Sequence, residues 1–210
     1  MKAPLFQRLP AAFAVAALAG LSACATPAIT GPVEVTRFVE PSANARLGQG
    51  TVFVETAPGA QADSLALAPY KQAVARELAR LGYREAPRTG ASQIAQVRVE
   101  RFVSGPDGRR RGPVSVGVGG GTGSYGSGVG LGLNINLGGS GPQEMIGTQV
   151  GVMLRDKQSG ETYWEGRAQF SVSENSQYAE PTASADAVAA ALFRDFPGRN
   201  GETIEVKVPE

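Results

Sequence analysis

Three carboxylates, Asp156, Glu161 and Glu165, lie close together around one predicted turn, and their type and spacing could support acid–base chemistry. Two such groups with pKa values pushed apart would serve as the acid and the base of a hydrolase. The rest of the catalytic menu is short. The chain has 210 residues, no histidine and a single cysteine, so Ser–His and Cys–His nucleophile pairs, histidine bases and Cys/His zinc sites are excluded. Carboxylate chemistry and an oxygen-ligand cation site survive that exclusion. In Asp156-Lys157-Gln158-Ser159-Gly160, however, the aspartate is what a turn asks for, and Glu165 with Arg167 reads as a solvated strand face. No catalytic residue, cofactor or metal ligand is expected here.

The one residue whose covalent chemistry the sequence singles out is Cys24. Lys2 and Arg8 precede an apolar run from Ala11 to Leu21, too short to span a bilayer core of about 30 Å. Leu21-Ser22-Ala23-Cys24 resembles the bacterial lipobox, which implies thiol acylation, removal of residues 1–23 and a lipidated Cys24 as the new N-terminus. The competing reading is ordinary signal cleavage after Ala23-Cys24-Ala25. Multiple acylation, such as bacterial lipoproteins carry (palmitate among the chains), anchors stably where one chain does not. Ala25 stands where an aspartate would resemble an inner-membrane retention signal, so the expected address is the outer membrane, facing the periplasm. Processing leaves 187 residues and turns the formal charge from +1 to −1, which offers no electrostatic footprint for nucleic acid. Residues 24–32 form a Pro-containing tether reaching at most about 25–28 Å, and residues 33–210 form a single domain.

The elements that must hold any site follow from periodicity. Val33–Phe38 and Thr51–Glu55 are short strands. Pro69 opens a helix with Tyr70, Ala73, Val74, Leu78 and Leu81 on one stripe, and Gly82 ends it. Ala95–Glu100 alternates. Thr148–Arg155 and Thr162–Val172 make a hairpin with Trp164, Gly166, Ala168, Phe170 and Val172 on one side and Tyr163, Glu165, Arg167, Gln169 and Ser171 on the other. A second helix is expected over Ser184–Phe196 and a last edge strand over Glu202–Val208.

Residues 112–141 hold 13 of the 28 glycines. Val114, Val116 and Val118 alternate, as do Val129 to Leu137, so two strands with one bare face stand beside a flexible insertion as equal readings. Gly121-Thr122-Gly123-Ser124-Tyr125-Gly126 matches a dinucleotide fingerprint, but a strand-like segment follows where a helix N-terminus is needed. Arg109-Arg110-Arg111, after the Pro106-Asp107-Gly108 turn, reads either as a solvated tip or as a contact to anionic lipid.

Leu78-Ala79-Arg80-Leu81-Gly82-Tyr83, then Val152–Ala168 with Asp156, Gly160 and Trp164-Glu165-Gly166, then Leu192-Phe193-Arg194-Asp195-Phe196-Pro197 occur in that order after a lipobox. Together they resemble the bacterial lipoproteins of domain-of-unknown-function family 4136. The resemblance implies an exported α+β domain and brings no catalytic residues. The expected fold is α+β, a mostly antiparallel sheet with two helices on one face and a glycine-rich hairpin or loop insertion. The expected function is non-enzymatic: a membrane-anchored lipoprotein of the cell envelope that binds or scaffolds an envelope protein or glycan. The glycine-rich hairpin is the expected contact element, and Tyr163, Arg167, Gln169 and Arg98 are the candidate partner-binding residues on the polar face. A carboxylate-dependent periplasmic hydrolase is the alternative.

Overall fold

Alternation with a period of two sets the centre of the molecule. In the computed structural model, described over residues 26–59, 65–105, 110–113 and 144–209, Val33, Val35 and Arg37 of strand β1 (Val33–Val39) turn to one face. On that face they meet Gly166, Ala168 and Phe170 of β7 (Thr162–Ser173). Val150, Val152 and Leu154 of β6 (Met145–Asp156) and Ala95, Val97 and Val99 of β4 (Gln93–Ser104) continue the same buried layer. Burying such side chains contributes about 1.5–3 kcal/mol each before conformational entropy is subtracted.

Two helices cover that layer. Helix α1 (Ala68–Arg80) enters through Pro69 and buries Tyr70, Ala73, Val74 and Leu78. Its end is a Schellman turn, with the Tyr83 N–H donating to Leu78 C=O and the Gly82 N–H to Ala79 C=O, both at 3.1 Å. Gly82 sits at φ +103°, and a Cβ there would lie 2.4 Å from the Gly48 carbonyl oxygen, so no other residue fits. Helix α2 (Pro181–Phe193) is capped by the Glu180 carboxylate, which accepts from the Thr182 and Ala183 N–H groups. Ala185, Val188, Ala189, Leu192 and Phe193 are its buried residues on the core stripe. The helix stops at Phe193, short of the expected Phe196, because Arg194 turns out of the helical region at ψ 133°, and Asp195 follows with a positive φ of 55°.

The remaining strands are β2 (Thr51–Thr56), β3 (Arg84–Glu85), β5 (Arg110–Pro113) and β8 (Thr203–Val206). The sheet runs β3-β2-β4-β6-β7-β1-β8, with β5 pairing β4. It is mixed, and this corrects the expected mostly antiparallel arrangement: β2 pairs in parallel with both β3 and β4. The reason is α1. A helix between two strands of one sheet carries the chain back to its starting end, so the next strand runs the same way. The α+β class and the two covering helices hold.

Two further departures concern chain ends and loops. The expected tether is docked rather than free: Gly31 N–H donates to Ser171 C=O, Ser173 N–H to Ile29 C=O, and Asn175 Nδ2 to Thr26 C=O. Arg110 and Arg111 lie on a strand whose backbone pairs with Ser104 and Val103, not on an open tip. The leader, Cys24 and the glycine-rich residues 114–143 fall outside the described residues. Among the described residues, no helix is long and apolar enough to cross a membrane.

Candidate site on the open face of the sheet

The face opposite the helices carries the chain's polar strand positions in register. Arg98 of β4 stands opposite Gly151 of β6, Gly151 opposite Arg167 of β7, and Arg167 opposite Thr36 of β1. One rung along, Glu100, Gln149, Gln169 and Glu34 line up. On the other side come Gln96, Met153, Glu165 and Phe38. Gly151 leaves the middle rung bare, since a Cβ placed there would meet nothing within 4 Å. The result is a trough flanked on the neighbouring strands by two arginines.

Both arginines are held by carboxylates on their own strands. Arg98 Nη2 lies 2.7 Å from Glu100 Oε1, and Arg167 Nε lies 2.6 Å from Glu165 Oε1. The Arg167 guanidinium also sits 5.4 Å from the ring centroid of Phe38, a large apolar side chain left 40% exposed. The Gln169 side-chain oxygen is buried and has no hydrogen-bond partner among the described residues. A second polar ladder crosses the same face nearer β2. Arg88 donates to Glu55, Gln96 Nε2 donates to Glu55 Oε1 at 3.0 Å, and Arg155 donates to both Gln96 Oε1 and Gly160 C=O. Burial pushes the Glu55 carboxyl up, but the hydrogen bonds from Arg88 and Gln96 and the Arg88 and Arg155 charges outweigh it and hold it below the ordinary value.

Of the four predicted contact residues, Arg98, Arg167 and Gln169 therefore share one face, and Tyr163 leaves it. The β6–β7 register slips between Leu154 and Arg155, so that Leu154 pairs with Trp164 and Arg155 with Thr162. Tyr163 is the extra residue of that bulge. It turns inward, is 1% exposed, and its hydroxyl donates to Gln93 Oε1. Gln93 Nε2 in turn donates to Gln49 C=O at 2.8 Å, and the Arg46 guanidinium lies 5.2 Å from the Tyr163 ring centroid. Burial pushes the Tyr163 phenol up, so it stays neutral.

The carboxylates considered for catalysis are each engaged structurally. Asp156 Oδ1 accepts from the Ser159 and Gln158 N–H groups, and the Ser159 N–H above all holds its carboxyl below the ordinary range. Glu161 faces Arg46 at 3.3 Å, and Glu165 faces Arg167.

Sequence reasoning missed Arg37. It occupies a core position of β1 and is 1% exposed. Its guanidinium donates to the carbonyls of Leu192, Ala191 and Arg194 at the end of α2, where Ala191 C=O also accepts from the Arg194 N–H. Burial pulls its pKa down while Asp195 and Glu202 push it up. The signal was present in the sequence: Arg37 has the same parity as Val33 and Val35.

The sequence profile of the family described as Domain of unknown function (DUF4136) matches residues 40–198. An uncharacterized protein of Zymomonas mobilis, ZMO1243, is 34% identical over 62 residues, a stretch covering 30% of this chain and 23% of that protein. Among solved structures, the PelC dodecamer from Paraburkholderia phytofirmans overlaps with a TM-score of 0.44 at 15% identity, covering 80% of this chain and 99% of that one. A PDZ domain protein from Parabacteroides distasonis gives 0.48 at 13% identity, covering 91% of this chain and 41% of that one.

Proposed function

This chain belongs to the family of the domain of unknown function DUF4136, and on that premise we propose that it is a non-enzymatic lipoprotein of the bacterial cell envelope that binds a partner on its open sheet face. The observation that carries the binding reading is the rung Arg98–Gly151–Arg167, where no described residue stands above Gly151. Two guanidiniums flanking a bare strip suit a carboxylate-bearing partner, because each can trade its own glutamate for a ligand carboxylate. An envelope protein segment or an acidic envelope glycan has this chemistry.

The anchoring half of the proposal rests on Leu21-Ser22-Ala23-Cys24. With residues 26–31 tied to the end of β7, only a very short link separates Cys24 from the domain. The domain is then held against the outer membrane, on its periplasmic side, instead of swinging on a tether.

The test is capture from crosslinked envelopes with the wild-type chain, Gly151→Leu and Arg167→Glu, using Cys24→Ser as the mislocalised control. Loss of one captured partner in both face variants supports the proposal; an unchanged set of partners overturns it. Mass spectrometry of the mature N-terminus decides the anchor separately. A lipidated Cys24 supports it, and an unmodified chain beginning at Thr26 removes it.

A further inference from the structure

Among the described residues, the strand that closes the sheet, β8, has no neighbour on its outer side. Its pairing to β1 fixes which backbone groups face outward. Arg37 N–H donates to Glu202 C=O at 3.1 Å, which makes Thr36–Thr203 a non-hydrogen-bonded pair and Val35–Ile204 a hydrogen-bonded one. The N–H and C=O groups of Thr203 and Glu205 consequently point away from β1, into solvent. They are a template for another strand.

Side chains decide which strand fits. Ile204 and Val206 pack toward the core, with Val208 continuing the pattern. Thr203, Glu205 and Lys207 alternate with them on the open face, where the Thr203 hydroxyl meets Thr36 at 2.8 Å. Among the described residues, neither Glu205 nor Lys207 has a partner of opposite charge. Glutamate and lysine two residues apart on an edge strand are self-complementary in an antiparallel pairing. With Glu205 of one copy opposite Lys207 of the next, the two-fold repeats the pair, giving two Glu–Lys contacts across the junction. The neighbouring register sets Glu205 against Glu205 and is disfavoured by like charge. The opposite edge of the sheet lacks this design, because β3 is only two residues long and Pro87 follows closely.

We propose that two copies of this chain associate through antiparallel β8–β8 pairing, with Glu205 of each copy on Lys207 of the other. The two-fold lies perpendicular to the sheet, so the open faces of both copies join into one surface and all helices lie on the other side. This inference does not depend on the lipid anchor or on the trough.

Carbodiimide coupling of the full-length chain in detergent tests it, since that reagent joins a carboxylate directly to a lysine amine in contact with it. An equal mixture of isotopically light and heavy chains should yield a covalent dimer containing a light–heavy Glu205–Lys207 peptide. Glu205→Lys or Lys207→Glu alone should abolish the dimer in low salt, and the double exchange Glu205→Lys with Lys207→Glu should restore it. All three variants lie on an exposed edge, and circular dichroism verifies that each is folded. The proposal is overturned by a chain that stays monomeric, by a dimer that survives the single exchanges, or by a double exchange that fails to recover it.

Discussion

The two faces of one sheet are built on opposite principles. The face under the helices is filled by Val33, Val35, Val97, Val152, Leu154 and Trp164, all 2% exposed or less. Its two buried charges are committed to backbone carbonyls, Arg37 to those at the end of α2 and Arg101 of β4 to Ala179 C=O. The open face has arginines, glutamates and glutamines arranged in rungs around a bare glycine. Each principle shows in what a glycine is for. Gly166 on the covered face exists to admit its neighbours, since a Cβ there would lie 2.4 Å from the Trp164 ring and 2.8 Å from Leu192. At Gly151 on the open face a Cβ would meet none of the described residues within 4 Å. The apolar packing resides on one side of the sheet, and the polar, charged positions lie on the other.

Substitutions should separate the faces by size of effect. Trp164 stacks 5.3 Å from Phe193, lies 5.2 Å from Phe196 and donates from Nε1 to Pro197 C=O. Trp164→Ala should lose about 3–5 kcal/mol in urea unfolding, the largest single loss expected. Arg37→Ala should cost about 2–3 kcal/mol by leaving helix-end carbonyls buried without donors. Arg37→Lys should recover only part of that, because an ammonium cannot reproduce the fork that reaches three carbonyls.

On the open face the effects shrink. The Glu55 carboxyl is held below its ordinary value of 4.5, so its contribution to stability is present above that pH and is lost as pH falls through the folded value. The unfolding free energy from urea titration should therefore drop more steeply below about pH 4.5 in the wild type than in Glu55→Gln, by less than about 1 kcal/mol since Arg88 is largely exposed. Arg167→Ala and Gly151→Val should both stay within about 0.5 kcal/mol of wild type. A loss of several kcal/mol at either position would show that the open face is also structural, and the contrast between the faces would collapse.

Much of this arrangement could be read from residue order. The alternation of Val150, Val152 and Leu154 and of Trp164 through Val172 located the hairpin and its buried side. Pro69 and Gly82 marked the ends of α1 through backbone restrictions that do not depend on context. Strand direction was not legible in the same way. Periodicity says which side chains share a face and nothing about whether neighbouring strands run together, so the parallel β2–β4 pairing emerges only once α1 is seen as a crossover. Tyr163 was misplaced because counting by twos fails across a bulge, and a bulge depends on the partner strand. Arg98, Arg167 and Gln169 came together as expected because no bulge interrupts the register between them.

The position of β1 has a consequence for how the domain is made. It is the first strand in the chain, yet it lies between β7 and β8, the last two. As the chain emerges from its N-terminus, β1 has neither neighbour until Thr162 has appeared, and it gains its second only when Val206 follows. The closing contacts of the sheet are also the most distant in sequence, which makes assembly slow relative to local helix formation. A polypeptide delivered end-first across a membrane would thus remain open until nearly its whole length has passed. A chain broken off before β7 would carry an apolar, unpaired first strand and no means of sealing it.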